Sequence, residues 1–152
     1  MLILADTNIL LRLVERNHPQ HVVAAEAIDI VETRGHQLNI VPQVAYEFWV
    51  VATRPLEANG LGMGPAEAQS EFDALLPPFR VLRDERVIFE IWQQLVVDHK
   101  VTGKRAHDAR LVAAMVRHRI SHLLTFNAPD FARYPDVTVL EPQNASALPS
   151  AL

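Results

Sequence analysis

Short apolar runs alternate with longer amphipathic segments along this 152-residue chain. Each apolar run is four or five residues long, which is typical of a strand buried inside a parallel sheet. The segments between the runs carry apolar residues three and four positions apart, which predicts helices. The predicted strands are residues 1–5, 38–41, 79–82, 122–125 and 137–140, and the predicted helices lie near 7–17, 20–34, 43–53, 65–76, 84–100 and 104–119.

This alternation predicts a single α/β domain, with a parallel sheet of about five strands flanked by helices on both faces. The sequence contains no internal repeat and no sign of a second domain. We expect the domain to cover residues 1–141. The segment 142–152 is polar and contains prolines, so we expect it to be a loose C-terminal tail.

Composition narrows the class of protein. Apolar residues make up 49% of the chain, which is typical of a globular protein with a sizeable core. Cysteine is absent, so disulfide frameworks and thiolate metal sites are excluded. No apolar run approaches the roughly 18 residues of a membrane span, and the N-terminus lacks the basic leader of a signal peptide. We therefore expect a cytoplasmic protein with no membrane partner.

The net charge of −4 argues at first against a nucleic-acid partner. The charge is unevenly distributed, however, because residues 100–119 contain six basic residues and one acid. This window has a local charge of +5, and a basic face is what phosphate binding requires. The alternative is an ordinary solvated helix face.

Three acids occupy positions where the pattern predicts apolar surroundings. Asp6 directly follows the first buried run, and Thr7 and Asn8 can cap a helix after it. Asp6 should therefore lie at the carboxyl end of a strand, the edge where open α/β sheets bind ligands. Glu47 and Asp108 each lie in line with the apolar stripe of their predicted helix, near its start.

We expect these carboxylates to converge at one end of the sheet. Clustered carboxylates raise one another's pKa unless a cation is present. An oxygen-only cluster suits Mg²⁺ or Mn²⁺, hard ions that also bind phosphate oxygens. Such a site supports phosphodiester hydrolysis, in which one metal activates water and a second would stabilise the leaving oxygen. The alternative is that Glu47 and Asp108 are capping acids or partners of nearby arginines.

The order and spacing of several short motifs resemble those of the PIN-domain ribonucleases, specifically the VapC-type toxins of bacterial toxin–antitoxin modules. The resemblance extends over nearly the whole chain, and it rests on the motifs together because none of them is specific alone. The matching pieces are Asp-Thr-Asn at 6–8, the helix with Glu47 after Val-Pro at 41–42, His-Asp-Ala at 107–109, Leu-Thr-Phe-Asn at 124–127 and Pro-Asp-Phe at 129–131.

The resemblance implies that Asp6, Glu47 and Asp108 bind Mg²⁺ or Mn²⁺ and are catalytic. Many members of the family have a fourth acid after a late strand. In this chain Asn127 occupies the first position of that motif, and Asp130 lies three residues later. Either Asn127 offers an oxygen to the metal, or Asp130 acts through water as the fourth catalytic acid.

The resemblance also implies auxiliary and RNA-binding residues. Thr7 and Thr125 would position the metal or its waters through hydroxyl hydrogen bonds, with Asn8 as a further auxiliary residue. The basic window would hold the RNA backbone, which predicts salt-sensitive binding. The residues expected to contact RNA are Lys100, Lys104, Arg105 and Arg110.

Members of this family are usually homodimers, and a cognate antitoxin neutralises them by inserting a segment near the acidic site. The complex often binds promoter DNA, through the antitoxin. The resemblance therefore implies an RNA substrate, typically transfer or ribosomal RNA, together with an antitoxin and a second copy as partners. The alternatives are a non-catalytic binding module of the same fold, with a metal site impaired at Asn127, and a small-molecule phosphohydrolase.

Overall fold

A five-stranded parallel sheet forms the centre of the protein, as the sequence predicts. The computed structural model describes residues 1–152. The strands are β1 (Leu2–Ala5), β2 (Gln37–Ile40), β3 (Phe79–Val81), β4 (His122–Leu124) and β5 (Thr138–Leu140). Their order across the sheet is β3-β2-β1-β4-β5, so β1 is the central strand.

Six α-helices and three short 3₁₀ segments connect or follow the strands. The helices are α1 (Thr7–Val14), α2 (His21–Thr33), α3 (Pro42–Thr53), α4 (Pro65–Leu75), α5 (Arg86–Asp98) and α6 (Arg105–His118), and the 3₁₀ segments are Leu56–Ala58, Ala128–Phe131 and Pro142–Ala147. The chain runs from β1 outwards to β3 and then returns across the sheet to β4 and β5. Because crossovers between parallel strands are right-handed, α1 to α4 lie on one face of the sheet, and α5 and α6 lie on the other. None of the helices combines the length and the apolar composition that a membrane span requires.

Three of the four residues of strand β1 are completely buried. Ile3, Leu4 and Ala5 have no exposed surface, because β1 has a strand on each side and helices on each face. The chain first extends the sheet from β1 towards β3 and later resumes on the other side of β1 with β4. The carboxyl ends of β1 and β4 therefore border the point where the direction of the chain reverses, which is where such sheets bind ligands.

The C-terminal segment is folded, and the expectation of a loose tail at 142–152 is wrong. Ala145 is fully buried and Leu148 is only 7% exposed, and the 3₁₀ segment contacts α2. His36 Nε2 lies 2.7 Å from the carbonyl oxygen of Pro149, and Ala151 donates its backbone N–H to the Arg34 carbonyl at 2.8 Å. The buried residues Pro142, Ala145 and Leu148 recur every third position, which matches the 3₁₀ period and not the α-helical or strand period.

Replacing Leu148 with alanine tests whether this tail is part of the core. We expect Leu148→Ala to lower the free energy of unfolding by about 2–3 kcal/mol, because it removes a buried side chain from a packed contact. Urea unfolding monitored by circular dichroism gives the value. The matched control is Leu152→Ala in the same tail, where leucine is 90% exposed. Equal stabilities for the two variants would mean that the tail does not pack in solution.

Candidate active site

Asp6 lies at the junction between β1 and α1. Thr7 opens the helix, and its backbone N–H donates to Asp6 Oδ1 at 2.8 Å, so Asp6 itself is the N-cap. The sequence placed the cap one or two residues later, on Thr7 or Asn8. A carboxylate at this position is favoured by the partial positive charge of the helix N-terminus.

The second oxygen of Asp6 is held by residues from two elements. Asp6 Oδ2 accepts hydrogen bonds from Thr125 Oγ1 at 2.8 Å and from Asn8 Nδ2 at 3.2 Å. Asn8 Nδ2 also donates to Thr125 Oγ1 at 3.0 Å, and Asn8 Oδ1 accepts the backbone N–H of Phe126 at 3.2 Å. Asn8 and Thr125 therefore fasten the end of β1 to the segment that follows β4. The hydroxyl of Thr7 is buried and has no hydrogen-bond partner.

Glu47 and Asp108 lie near enough to Asp6 for their charges to affect its pKa. Burial raises the pKa of Asp6 from 3.8 to about 6; hydrogen bonds from Thr125 and Thr7 oppose this, and the charges of Glu47 and Asp108 add to it. Burial also raises the pKa values of Glu47 and Asp108. The three carboxylates thus form one electrostatically coupled cluster at the carboxyl ends of the strands.

Gln43 holds Glu47 in place and links α3 to α6. Its Nε2 donates at 2.7 Å both to Glu47 Oε1 and to the carbonyl oxygen of His107, and its Oε1 accepts from Arg110 Nη1 at 3.1 Å. The amide is buried and uses both of its donors, so its orientation is fixed. We did not predict Gln43 from the sequence. The sequence does indicate this residue, because Gln43 lies four residues before Glu47 and therefore on the same face of the helix.

Arg105 joins Asp108 to Asp130. Its Nη1 lies 2.7 Å from Asp130 Oδ1 and 3.3 Å from Asp108 Oδ2. Of the two candidates for the fourth acid position, Asp130 is thus connected to the cluster through a cation. Asn127 is exposed, and the bond that it makes at the site is from its backbone N–H to Thr125 Oγ1 at 3.0 Å.

The basic window divides into paired and unpaired residues. Arg110 Nη2 lies 3.1 Å from Asp84 Oδ1, and Arg105 is paired as described, so both are already engaged with acids. Lys100 and Lys104 are exposed and form no ion pair. The contact of these four residues with RNA stays a prediction.

A sequence model of the PIN domain family matches residues 3–137, most of the chain. This protein belongs to the PIN domain family. The resemblance stated from the motifs is therefore confirmed at the level of the family and its fold. No curated protein matches the sequence.

Solved structures share the fold at low sequence identity. VapBC2 from Rickettsia felis, bound to a DNA fragment from its promoter, matches with a TM-score of 0.72 and 14% identity over 93% of this chain and 98% of that chain. A toxin–antitoxin complex from Klebsiella pneumoniae matches with a TM-score of 0.64 and 24% identity, covering 92% and 97% of the two chains. VapC20 from Mycobacterium tuberculosis, described as a sarcin-ricin loop cleaving toxin, matches with a TM-score of 0.66 and 19% identity, covering 87% and 95%.

The donor chemistry of this PIN domain fits a hard divalent cation. The carboxylates offer only oxygen atoms, burial raises their pKa values, and the Thr7 hydroxyl has an unused hydrogen-bonding capacity. No three acids or histidines are grouped closely enough to hold one ion directly. Mg²⁺ is commonly held through one or two carboxylates and several waters, so this spacing agrees with partly water-mediated binding.

The raised pKa of Asp6 predicts that the metal-free protein loses stability as pH rises. Below pH 3.8 the carboxyl is protonated in both the folded and the unfolded chain. Between pH 3.8 and about 6 the folded protein retains a proton that the unfolded chain has released, so stability falls across this window. The shift of about two pH units corresponds to roughly 3 kcal/mol.

We therefore expect Asp6→Asn to be more stable than the wild type at pH 7.5 in EDTA, and to lose this advantage near pH 4. Urea unfolding at the two pH values measures the difference. Asp29→Asn, a substitution of an exposed acid on α2, is the matched control. If the free energies of unfolding of the wild type and Asp6→Asn differ by the same amount at both pH values, the raised pKa assigned to Asp6 is wrong.

Proposed function

We propose that this protein is a metal-dependent endoribonuclease that hydrolyses RNA phosphodiester bonds and acts as the toxin of a toxin–antitoxin pair. The observation that carries the proposal is the coupled cluster of Asp6, Glu47 and Asp108 at the reversal point of the sheet. Membership of the PIN domain family and a fold shared with VapC20, which is described as a sarcin-ricin loop cleaving toxin, support the same conclusion.

In this proposal Asp6, Glu47 and Asp108 would together hold Mg²⁺ or Mn²⁺, in part through water. The bound ion supplies a Lewis acid for the phosphate and lowers the pKa of an attacking water. Thr125 and Asn8 keep the Asp6 carboxylate fixed, so it need not reorganise when substrate arrives.

Glu47 is suited to accept a proton from water. Gln43 occupies its Oε1, which leaves Oε2 as the oxygen available for proton transfer. Burial raises the pKa of this carboxyl towards neutrality, where a general base works best. In this scheme Gln43 is a positioning residue, since it acts on the reaction only through Glu47.

Asp130 and Arg105 form the other side of the proposed site. Asp130 holds Arg105 against Asp108, which places a guanidinium next to the carboxylates where the phosphate would bind. Lys100 and Lys104, exposed at and before the start of α6, would contact the RNA backbone further out. Asn127 remains the alternative oxygen ligand.

We further propose the partners that the resemblance implies: a cognate antitoxin, promoter DNA bound only through that antitoxin, and a second copy of the chain. VapBC2 from Rickettsia felis, of the same fold, is bound to a DNA fragment from its promoter, and the Klebsiella pneumoniae structure is a toxin–antitoxin complex. One observation favours a second candidate, a non-catalytic binding module. The Arg105 guanidinium already neutralises part of the charge on Asp108, which weakens the demand for a metal ion there.

Metal binding can be tested without any activity assay. We expect Mn²⁺ to raise the melting temperature of the wild type by about 5–10 °C at a concentration roughly 100 times its Kd, because ligands that bind only the folded state stabilise it. Asp108→Asn should remove most of this shift, and Asp29→Asn should not. An identical shift in all three proteins would place the ion outside the proposed cluster.

Cleavage tests the proposal itself. Purified protein free of antitoxin is incubated with total bacterial RNA and Mg²⁺ or Mn²⁺, beside an EDTA control. We expect discrete fragments that disappear in EDTA, and an activity at least about 10²-fold lower in Glu47→Gln, which loses the general base. The matched control is Glu67→Gln at an exposed position of α4. Intact RNA with a protein that is folded and binds metal would favour the binding module.

A further inference from the structure

A cavity of about 550 Å³ opens beside Glu47, between α3 and α6. Tyr46, Val50 and Val51 from α3 line one side, and His107 and Arg110 from α6 line the other. Its volume is typical of sites that bind small ligands or single groups of larger ones. No step of the proposed hydrolysis uses Tyr46 or the valines.

The α3 wall of this cavity is apolar surface that the core does not cover. Tyr46 is 63% exposed and Val50 is 58% exposed, whereas Val44 and Phe48 on the inner side of the same helix are completely buried. An exposed aromatic ring next to a concave surface is a platform on which another flat ring can stack.

The α6 wall supplies fixed polar groups. The Arg110 guanidinium is bonded to Asp84 Oδ1 and to Gln43 Oε1, both at 3.1 Å, so its plane is held in one orientation. His107 is exposed, and its charge lowers the pKa of Glu47, which places its ring close to that carboxylate. An aromatic face opposite a planar cation and an imidazole is the combination that proteins use to hold unstacked bases.

We propose that this cavity holds an unpaired nucleobase of the RNA substrate, stacked on Tyr46, next to the phosphodiester that is cut. The inference rests on the proposed ribonuclease function and adds to it a base-binding cavity that includes Tyr46. A base in a double helix is stacked and paired, so it cannot enter a cavity of this kind. Glu47, a carboxylate of the proposed hydrolytic site, also lines this cavity, so a base held here belongs to a nucleotide beside the phosphodiester that is cut. The fixed polar groups of Arg110 and His107 suit the polar edge of a base better than they suit the side chains of an apolar peptide.

The test separates base contacts from phosphate contacts. Binding of a fluorescent, unstructured RNA nonamer is compared with binding of a fully abasic nonamer that keeps every phosphate. The measurements use the Asp6→Asn background so that RNA is not cut. Stacking is tolerant of sequence, so a mixed-sequence nonamer serves although the natural target is unidentified. The variants are Tyr46→Ala, Tyr46→Phe, which keeps the ring, and Phe89→Ala, which removes an aromatic residue outside the cavity that is 55% exposed.

We expect Tyr46→Ala to weaken binding of the intact nonamer by about 5- to 100-fold, the range found for loss of one base–aromatic stack. The same variant should not weaken binding of the abasic nonamer, because the interaction is then already lost. Tyr46→Phe should bind almost as tightly as tyrosine, Phe89→Ala should be unchanged, and the duplex form of the nonamer should not respond to Tyr46.

Several results would overturn the inference. These are equal binding of intact and abasic RNA, a Tyr46→Ala effect of the same size on both, or no binding of either. A second copy of the chain is the other candidate occupant, and sedimentation tests it. If Tyr46→Ala differs from the wild type in molecular mass, this face is an interface between copies. If the wild type and Tyr46→Ala cleave RNA equally, the cavity inference fails and the ribonuclease stands. If Tyr46→Ala weakens binding of intact but not of abasic RNA and no cleavage is detected, the ribonuclease proposal fails and the base-binding cavity stands.

Discussion

The constraint on which the site depends is the burial of a carboxylate at the end of the central strand. Asp6 follows three strand residues that have no exposed surface, Ile3, Leu4 and Ala5, so its charge cannot be fully solvated. Two further acids nearby increase the energetic cost, and the pKa of Asp6 rises to about 6. The surrounding hydrogen bonds lower this cost without removing it, which leaves a site whose charge a divalent cation can balance.

Each acid of the cluster is supported by a different kind of partner. Asp6 receives only neutral donors, from Thr7, Asn8 and Thr125. Glu47 is held by an amide, and Asp108 is paired with a guanidinium. The compensation thus grows from no cation at Asp6 to a full cation at Asp108. The demand for an added positive charge is therefore greatest at Asp6, where the strand ends meet.

Most of the fold, and the three acids that lie near one another, could be predicted from the sequence because both depend on local patterns of residues. Apolar runs indicate strands, and an acid that interrupts the apolar stripe of a predicted helix can be recognised from its neighbours in the sequence. The remaining features depend on proximity between distant segments. Arg105 meets Asp130 only when α6 packs against the 3₁₀ segment Ala128–Phe131, and Gln43 meets the His107 carbonyl only when α3 and α6 approach. The 3₁₀ tail was missed because its three-residue period is neither of the periods used to recognise helices and strands.

Ion pairs within the protein reduce the number of basic residues in the window 100–119 that are free to bind RNA. Its local charge of +5 counts six basic residues, but Arg105, Arg110 and Arg117 are paired with acids of the protein. The unpaired cations are Lys100, Lys104 and Arg119, and the chain as a whole is acidic. Few phosphates can then be neutralised by free side chains, so the salt dependence of RNA binding should be shallower than six contacts would give. Under the proposed function, affinity would come largely from other contacts, namely the proposed metal ion and the proposed base beside Glu47.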